Sequence, residues 1–280
     1  MKIVTYLSPG GCRSAVLDGE TAVDLAQDLQ SALAAGTDVQ AMARAAMASP
    51  APRKPLSSLH LAAPIPRPGK IVCLGLNYYD HAKEGGREKP EYPWFFFRGA
   101  SSLVADGEAG IRPRVSERFD YEAELAVIIG KAAHHCSMEN ALDCVFGYSC
   151  FNDMSVRDYQ KKTPQWTIGK NFDGTGGFGP AVVTADELAP GATGLRIQSR
   201  LNGRIMQDAN TTDMIWGVAE TITLLTECMT LEPGDVIVMG TPAGVGQART
   251  PPVWMKDGDT VAIEIDSIGI LTNPIRNEGQ

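Results

Sequence analysis

Residues 120–130 read DYEAELAVIIG. Side chains alternate along an extended segment, so Glu122 and Glu124 share one face. Beyond them Leu125, Ala126, Val127, Ile128 and Ile129 are apolar on both faces. A strand without polar alternation is buried on both sides, as inside a large sheet. Two carboxylates at its mouth repel each other, and desolvation adds to the cost. An E-x-E pair on an edge strand simply faces water; here the doubly apolar run leaves little room for a wet row. A divalent cation would offset both penalties. Hard oxygen donors favour Mg2+, with Mn2+ close behind. A dedicated site needs a third acid. Asp153, after the apolar run before it, is one candidate among many acids.

Working outward, short strands dominate. Residues 2–7 and 13–24 flank Ser8-Pro9-Gly10-Gly11 and predict a hairpin. Val23, Leu25, Leu29 and Leu33 recur at helical spacing, and an alanine-rich stretch follows at 38–48. Residues 50–69 are proline-rich and read as a linker. That places a small N-terminal domain at 1–62 and a larger domain at 63–280. Strands are expected at 71–75, 122–129, 195–201, 236–239 and 261–265. Asn202-Gly203 supplies the hairpin turn after 195–201. One long helix is marked by Ile215, Val218, Ile222, Leu225 and Met229, with Thr212 or Asp213 as its cap, and a shorter one begins near Ser137. No regular βαβ alternation is present, so the expected class is α+β, mainly β.

The chain has 280 residues, 44% of them hydrophobic, and a net charge of -8, which suits a packed, acidic protein. No basic arm or block points to nucleic acid or to an anionic membrane. No apolar stretch nears the length of a membrane span, and no leader pattern opens the chain, so the expected location is cytoplasmic. The six cysteines form no C-x-x-C pair and read as reduced thiols.

Five segments, in this order, resemble the fumarylacetoacetate hydrolase family. They are Gly75-Leu-Asn-Tyr-Tyr-Asp-His81-Ala-Lys-Glu84, Tyr121-Glu-Ala-Glu-Leu, Asn152-Asp-Met-Ser-Val-Arg-Asp158, Trp166-Thr-Ile-Gly-Lys-Asn-Phe172 and Gly240-Thr-Pro-Ala-Gly-Val-Gly246. The resemblance covers roughly residues 70–270. It implies a mixed β-roll with flanking helices, a homodimer, and Glu122, Glu124 and Asp153 as ligands of Mg2+ or Mn2+. It also puts Lys170 in the catalytic site and Arg157, Gln160 and Thr241 on the substrate.

His81 and Glu84 lie three apart, so one helical turn brings them to one side. Alone they describe an ordinary surface turn. The resemblance makes them a water-activating dyad, with the carboxylate orienting the ring. The following Gly85-Gly86-Arg87-Glu88-Lys89-Pro90 then reads as a lid. The implied reaction is hydrolytic carbon–carbon cleavage of a 2,4-dioxo acid, of the acylpyruvate or fumarylpyruvate type, through an enolate at the cation. Decarboxylases, tautomerases and dehydratases of α-keto acids share that ligand set and form the alternative. In one departure, Phe96-Phe97-Arg98-Gly99 stands where many relatives carry Phe-x-Lys-Pro. A guanidinium fork replaces a point charge there.

Overall fold

A computed structural model describes residues 1–86 and 88–279. Among these, a 12-stranded sheet forms the spine. From the middle outward its strands run Gly176–Thr184, Val145–Asp153, Ala123–Ile129, Val236–Val238, Ile71–Gly75 and, at the end of the path, Trp94–Arg98. Most pairings are antiparallel, but Val236–Val238 runs parallel to Ile71–Gly75. A five-stranded sheet, built largely from Arg196–Leu201, Arg204–Asn210, Thr260–Ile265 and Gly269–Asn277, packs against the first. The architecture is thus mainly β with few helices, as expected.

The strand Ala123–Ile129 is buried at every position. Its alternation now has two destinations. Leu125, Val127 and Ile129 enter a core shared with Ile197, Ile263, Leu271 and the helix Val218–Cys228. Ala126 and Ile128 enter another core with Phe151, Phe178, Ile3 and Leu29. Glu124 projects on the second face, where the core opens.

The N-terminal segment adds its hairpin, Lys2–Ser8 and Gly11–Asp18, to the main sheet through Lys2–Ser8 and Gly176–Thr184. Its helices Leu29–Ala34 and Val39–Ala48 pack on that extension, and their apolar residues join the second core. Segment 1–62 therefore shares sheet and core with the rest.

Several local expectations change. Val23 lies in the strand Thr21–Asp24, not in a helix. The proline-rich stretch is no free linker: Lys54–Pro55 and Leu61–Ala62 both pair with N-terminal strands. The long helix starts at Val218 with Gly217 as N-cap, and Ile215 lies outside it. Thr212 and Asp213 instead sit in the 3-10 turn Thr211–Asp213, closed by a capping box with Asn210. Near Ser137 the chain makes a turn, and a 3-10 helix begins only at Ala141. The Asn202-Gly203 hairpin forms as expected, both residues taking the positive φ that a tight I′ turn requires.

Candidate active site

Glu122, Glu124 and Asp153 converge. One oxygen from each lies within 4.8 Å of the others, and all three residues are buried. The pairing of Ala123–Ile129 with Val145–Asp153, Ala123 opposite Asn152, delivers the acids from adjacent strands. They line a cavity of about 690 Å³ with His81, Glu84, Arg157, Gln160, Lys170 and Thr241, so every residue expected at the site faces one space.

Three buried cations surround the acids. Lys170 Nζ donates to Glu122 Oε2 at 2.6 Å and also to Asp153 Oδ2. Arg157 places Nη2 2.7 Å from Glu122 Oε1, an ion pair that lies off the line of a good hydrogen bond. Burial would raise the Glu122 carboxyl, but Arg157 and Lys170 outweigh it and hold the group well below the usual range. Lys170 is shifted the other way: burial disfavours its charge, yet Asp153 and Glu122 keep the ammonium protonated. Glu124 differs from its neighbours. Burial, then the charges of Asp153 and Glu122, raise its carboxyl well above the usual range.

Among the described residues, the buried acids Asp120, Glu122, Glu124 and Asp153 share the buried cations Arg98, Arg157 and Lys170. One carboxyl is left without a paired cation, Glu124, and its raised pKa favours the protonated form. Three converging carboxylate oxygens, one of them short of positive charge, suit a hard divalent cation. The residues therefore fit a divalent-cation site.

The loop 240–246 closes the site from one side. Gly240 donates its N–H to Glu124 Oε2 at 2.6 Å. Its φ is +85°, and a Cβ there would stand 2.7 Å from Asn77 Cβ, so only glycine brings this amide to the carboxylate. Thr241 donates to Ala123 O at 3.0 Å and accepts from Gln207 Nε2 at 2.8 Å. Its hydroxyl proton is thus directed at the backbone.

Next to that loop, the helical turn Tyr79–Glu84 carries the dyad. His81 Nδ1 stands 3.4 Å from Glu84 Oε2, a long contact. Glu84 also accepts from Gly244 N at 3.0 and 3.2 Å, which ties the turn to the loop 240–246. Of the expected lid, Arg87 lies outside the described residues.

Four residues hold this arrangement without having been singled out as site residues. Asp120 accepts from Arg157 Nε at 2.8 Å, Gly246 N at 2.7 Å and Gln247 N at 3.0 Å. Asn77 donates to Met239 O and Trp216 O and accepts from Trp216 N. Gln207 braces Thr241 and accepts from Ala123 N at 3.0 Å. Arg98, noted only as a departure, lies behind the site. Its Nε bonds Asp153 Oδ1, while Nη2 donates to Met154 O at 2.7 Å and Thr175 O at 3.1 Å. Asp158, by contrast, is a structural partner, accepting from Ser116 Oγ at 2.6 Å.

Residues 70–276 match the family described as fumarylacetoacetate (FAA) hydrolase C-terminal. The chain belongs to the fumarylacetoacetate hydrolase family. Among its relatives, it is 40% identical over 242 residues to the mitochondrial oxaloacetate tautomerase FAHD2A of Homo sapiens, covering 86% of this chain and 77% of that protein. It is 43% identical over 224 residues to the oxaloacetate tautomerase YisK of Bacillus subtilis, covering 79% and 74% of the two chains. The solved fumarylacetoacetate hydrolase of Exiguobacterium antarcticum superposes with a TM-score of 0.86 at 34% identity, covering 99% of this chain and 100% of that one. The family membership makes this chain an enzyme of that superfamily. No helix among the described residues is long and apolar enough to cross a membrane.

Proposed function

We propose that this enzyme interconverts the enol and keto forms of an α-keto acid of the oxaloacetate class, with a divalent cation held by Glu122, Glu124 and Asp153. The observation that carries the reading is the His81–Glu84 pair lining the same cavity as the three carboxylates. The activity named for both tautomerase relatives supports it.

A cation bound there supplies Lewis-acid polarisation of the keto group, which makes the neighbouring C–H more acidic. The chain supplies the proton path. Glu84 accepts from Nδ1–H of His81, which leaves Nε2 free to take the proton from carbon. Gly244 N fixes Glu84, so the ring is oriented from the loop 240–246. Arg157 Nη1 donates to Gln160 Oε1 at 3.0 Å, and the pair offers donors to the acid's carboxylate. Lys170 adds a positive charge for the developing enolate oxygen. Trp94, Phe96 and Trp166 form an apolar wall that limits water near the carbanion.

Hydrolytic cleavage of a 2,4-dioxo acid is the second reading. It uses the same groups, with His81 acting on water instead of carbon. The cavity volume favours it, since about 690 Å³ exceeds what a four-carbon acid fills. Decarboxylation and dehydration share the enolisation step. The proposal includes the expected homodimer and cytoplasmic location. The exposed Phe97 and Ile168, on elements packed together, are consistent with a covered face.

The test is an assay of Mg2+-loaded protein against oxaloacetate, acylpyruvates and fumarylpyruvate side by side, with products identified. Rapid ketonisation of enol-oxaloacetate without cleavage of any dioxo acid supports the first reading. Release of pyruvate from a dioxo acid as the main turnover replaces it with the second.

A further inference from the structure

Lys170 is carried by the segment Thr167–Lys170, a single helical turn. A helix that short has no stability of its own, so its place is set by what holds its ends. At the first end the Trp166 ring enters a slot between Gly75, Trp94 and Phe96. Its centroid lies 5.3 Å from that of Trp94 and 5.8 Å from that of Phe96, and a Cβ on Gly75 would collide with the indole. Gly169 lies flush on the backbone of Gln160, where again a Cβ would not fit. Phe96 meets the far end of Lys170 as well, with Nζ 5.2 Å from its ring centroid.

The second end is held by Asn171, a partly exposed residue that is not among those lining the cavity. Its Nδ2 donates to Phe97 O at 2.9 Å and to Thr167 O at 2.8 Å, and its Oδ1 accepts from Gly99 N at 2.6 Å. Both amide hydrogens and the oxygen are engaged, a set that neither a carboxylate nor a hydroxyl can supply. Phe97 and Gly99 flank Arg98 in the chain. Lys170 and Arg98 bond the two oxygens of Asp153, Oδ2 and Oδ1 respectively. One amide, next to Lys170 in sequence, thus grips the backbone on either side of the other cation on the same carboxylate.

We propose that Asn171 is a positioning residue, which fixes the Lys170 ammonium against Asp153 and Glu122 by stapling its turn to the strand Trp94–Arg98. The inference rests on the reading above, in which Lys170 stands beside the developing enolate oxygen.

Exchange of the C3 protons of pyruvate for deuterium at saturating Mg2+ tests it in the native chain, Asn171→Ala, Lys170→Gln and the double variant. Asn171→Ala should lower kcat about tenfold and change KM less than about twofold, because a displaced ammonium is felt at the enolate and not in capture of the acid. In the Lys170→Gln background, Asn171→Ala should cost less than about twofold, since the group that it positions is gone. Mg2+ should still raise the thermal midpoint of Asn171→Ala, as it does for a protein whose fold and ion site are intact. A native kcat in Asn171→Ala, a loss in which KM rises as much as kcat falls, loss of the Mg2+-induced rise, or an undiminished Asn171→Ala effect beside Lys170→Gln overturns this inference alone. Should Lys170→Gln fail to fold, the kcat and KM of Asn171→Ala decide by themselves. Absence of exchange with the native chain overturns the enolisation reading as well.

Discussion

Glu124 accepts the backbone N–H of Gly240 at 2.6 Å, across 116 residues of sequence, while the cations of the site pair with its neighbours. Arg157 and Lys170 go to Glu122, and Lys170 and Arg98 go to Asp153. Glu124 is left as the acid with the least compensated charge. Burial first, then Asp153 and Glu122, raise its pKa. A carboxyl whose folded-state pKa exceeds its unfolded value stabilises the fold below the unfolded pKa and loses that contribution as pH rises through the raised value. The metal-free protein should therefore lose stability as pH climbs above the ordinary Glu range of about 4.3. Mg2+ must displace the Glu124 proton, so its stabilising effect should grow over the same window. Scanning calorimetry across pH, with and without Mg2+, reads both slopes. Glu124→Gln should flatten both, and a Mg2+ effect independent of pH would contradict this assignment.

Arg98→Lys keeps the charge beside Asp153 but not the fork. A lysine cannot bond Asp153 and also span Met154 O and Thr175 O, which Arg98 Nη2 bridges. Two buried carbonyls lose a donor, at a cost of about 1–3 kcal/mol. The expected outcome is a lower midpoint in urea and weaker Mg2+ binding by titration, since Asp153 loses its fixed orientation. Unchanged stability and Mg2+ affinity would show that the guanidinium is dispensable.

Asp120→Ala removes one of the two carboxylates paired with the buried Arg157, along with the acceptor of Gly246 N and Gln247 N. Breaking one side of a buried pair costs about 3–5 kcal/mol. Asp120→Asn retains an acceptor and should cost less. Equilibrium denaturation of the two variants checks the order, and equal losses would mean that the acceptor contributes little and the lost charge beside Arg157 carries the effect.

How much of this was legible in the sequence depended on the distance over which each meaning is written. Glu122 and Glu124 announce themselves locally, because a period of two puts both on one face beside a run that fills two cores. Asp153 became identifiable only with the family segments, since one acid after a strand looks like many others. Asp120 adjoins the same motif, yet its role comes from Arg157 and from Gly246, 126 residues away. Asn77 and Gln207 are similar: each braces backbone brought close only by the fold. Arg98 drew notice as a departure from relatives, but its position behind Asp153 was invisible. The helix start is masked for a local reason. Thr212 and Asp213 are good capping residues, and they cap a 3-10 turn instead. The proline-rich stretch misled because proline is tolerated at short edge pairings such as Lys54–Pro55.

The central claim is that the His81–Glu84 pair removes a proton from carbon next to a keto group held at the three carboxylates. Exchange of the C3 protons of pyruvate for deuterium, followed by NMR in D2O, reads that step whatever the later chemistry. The Mg2+-loaded enzyme should accelerate exchange strongly, and Glu84→Gln should slow it by about 10²–10⁴-fold while the Mg2+-induced rise in thermal midpoint persists. Exchange at the protein-free rate with intact enzyme, or full-rate exchange by Glu84→Gln, would contradict the account.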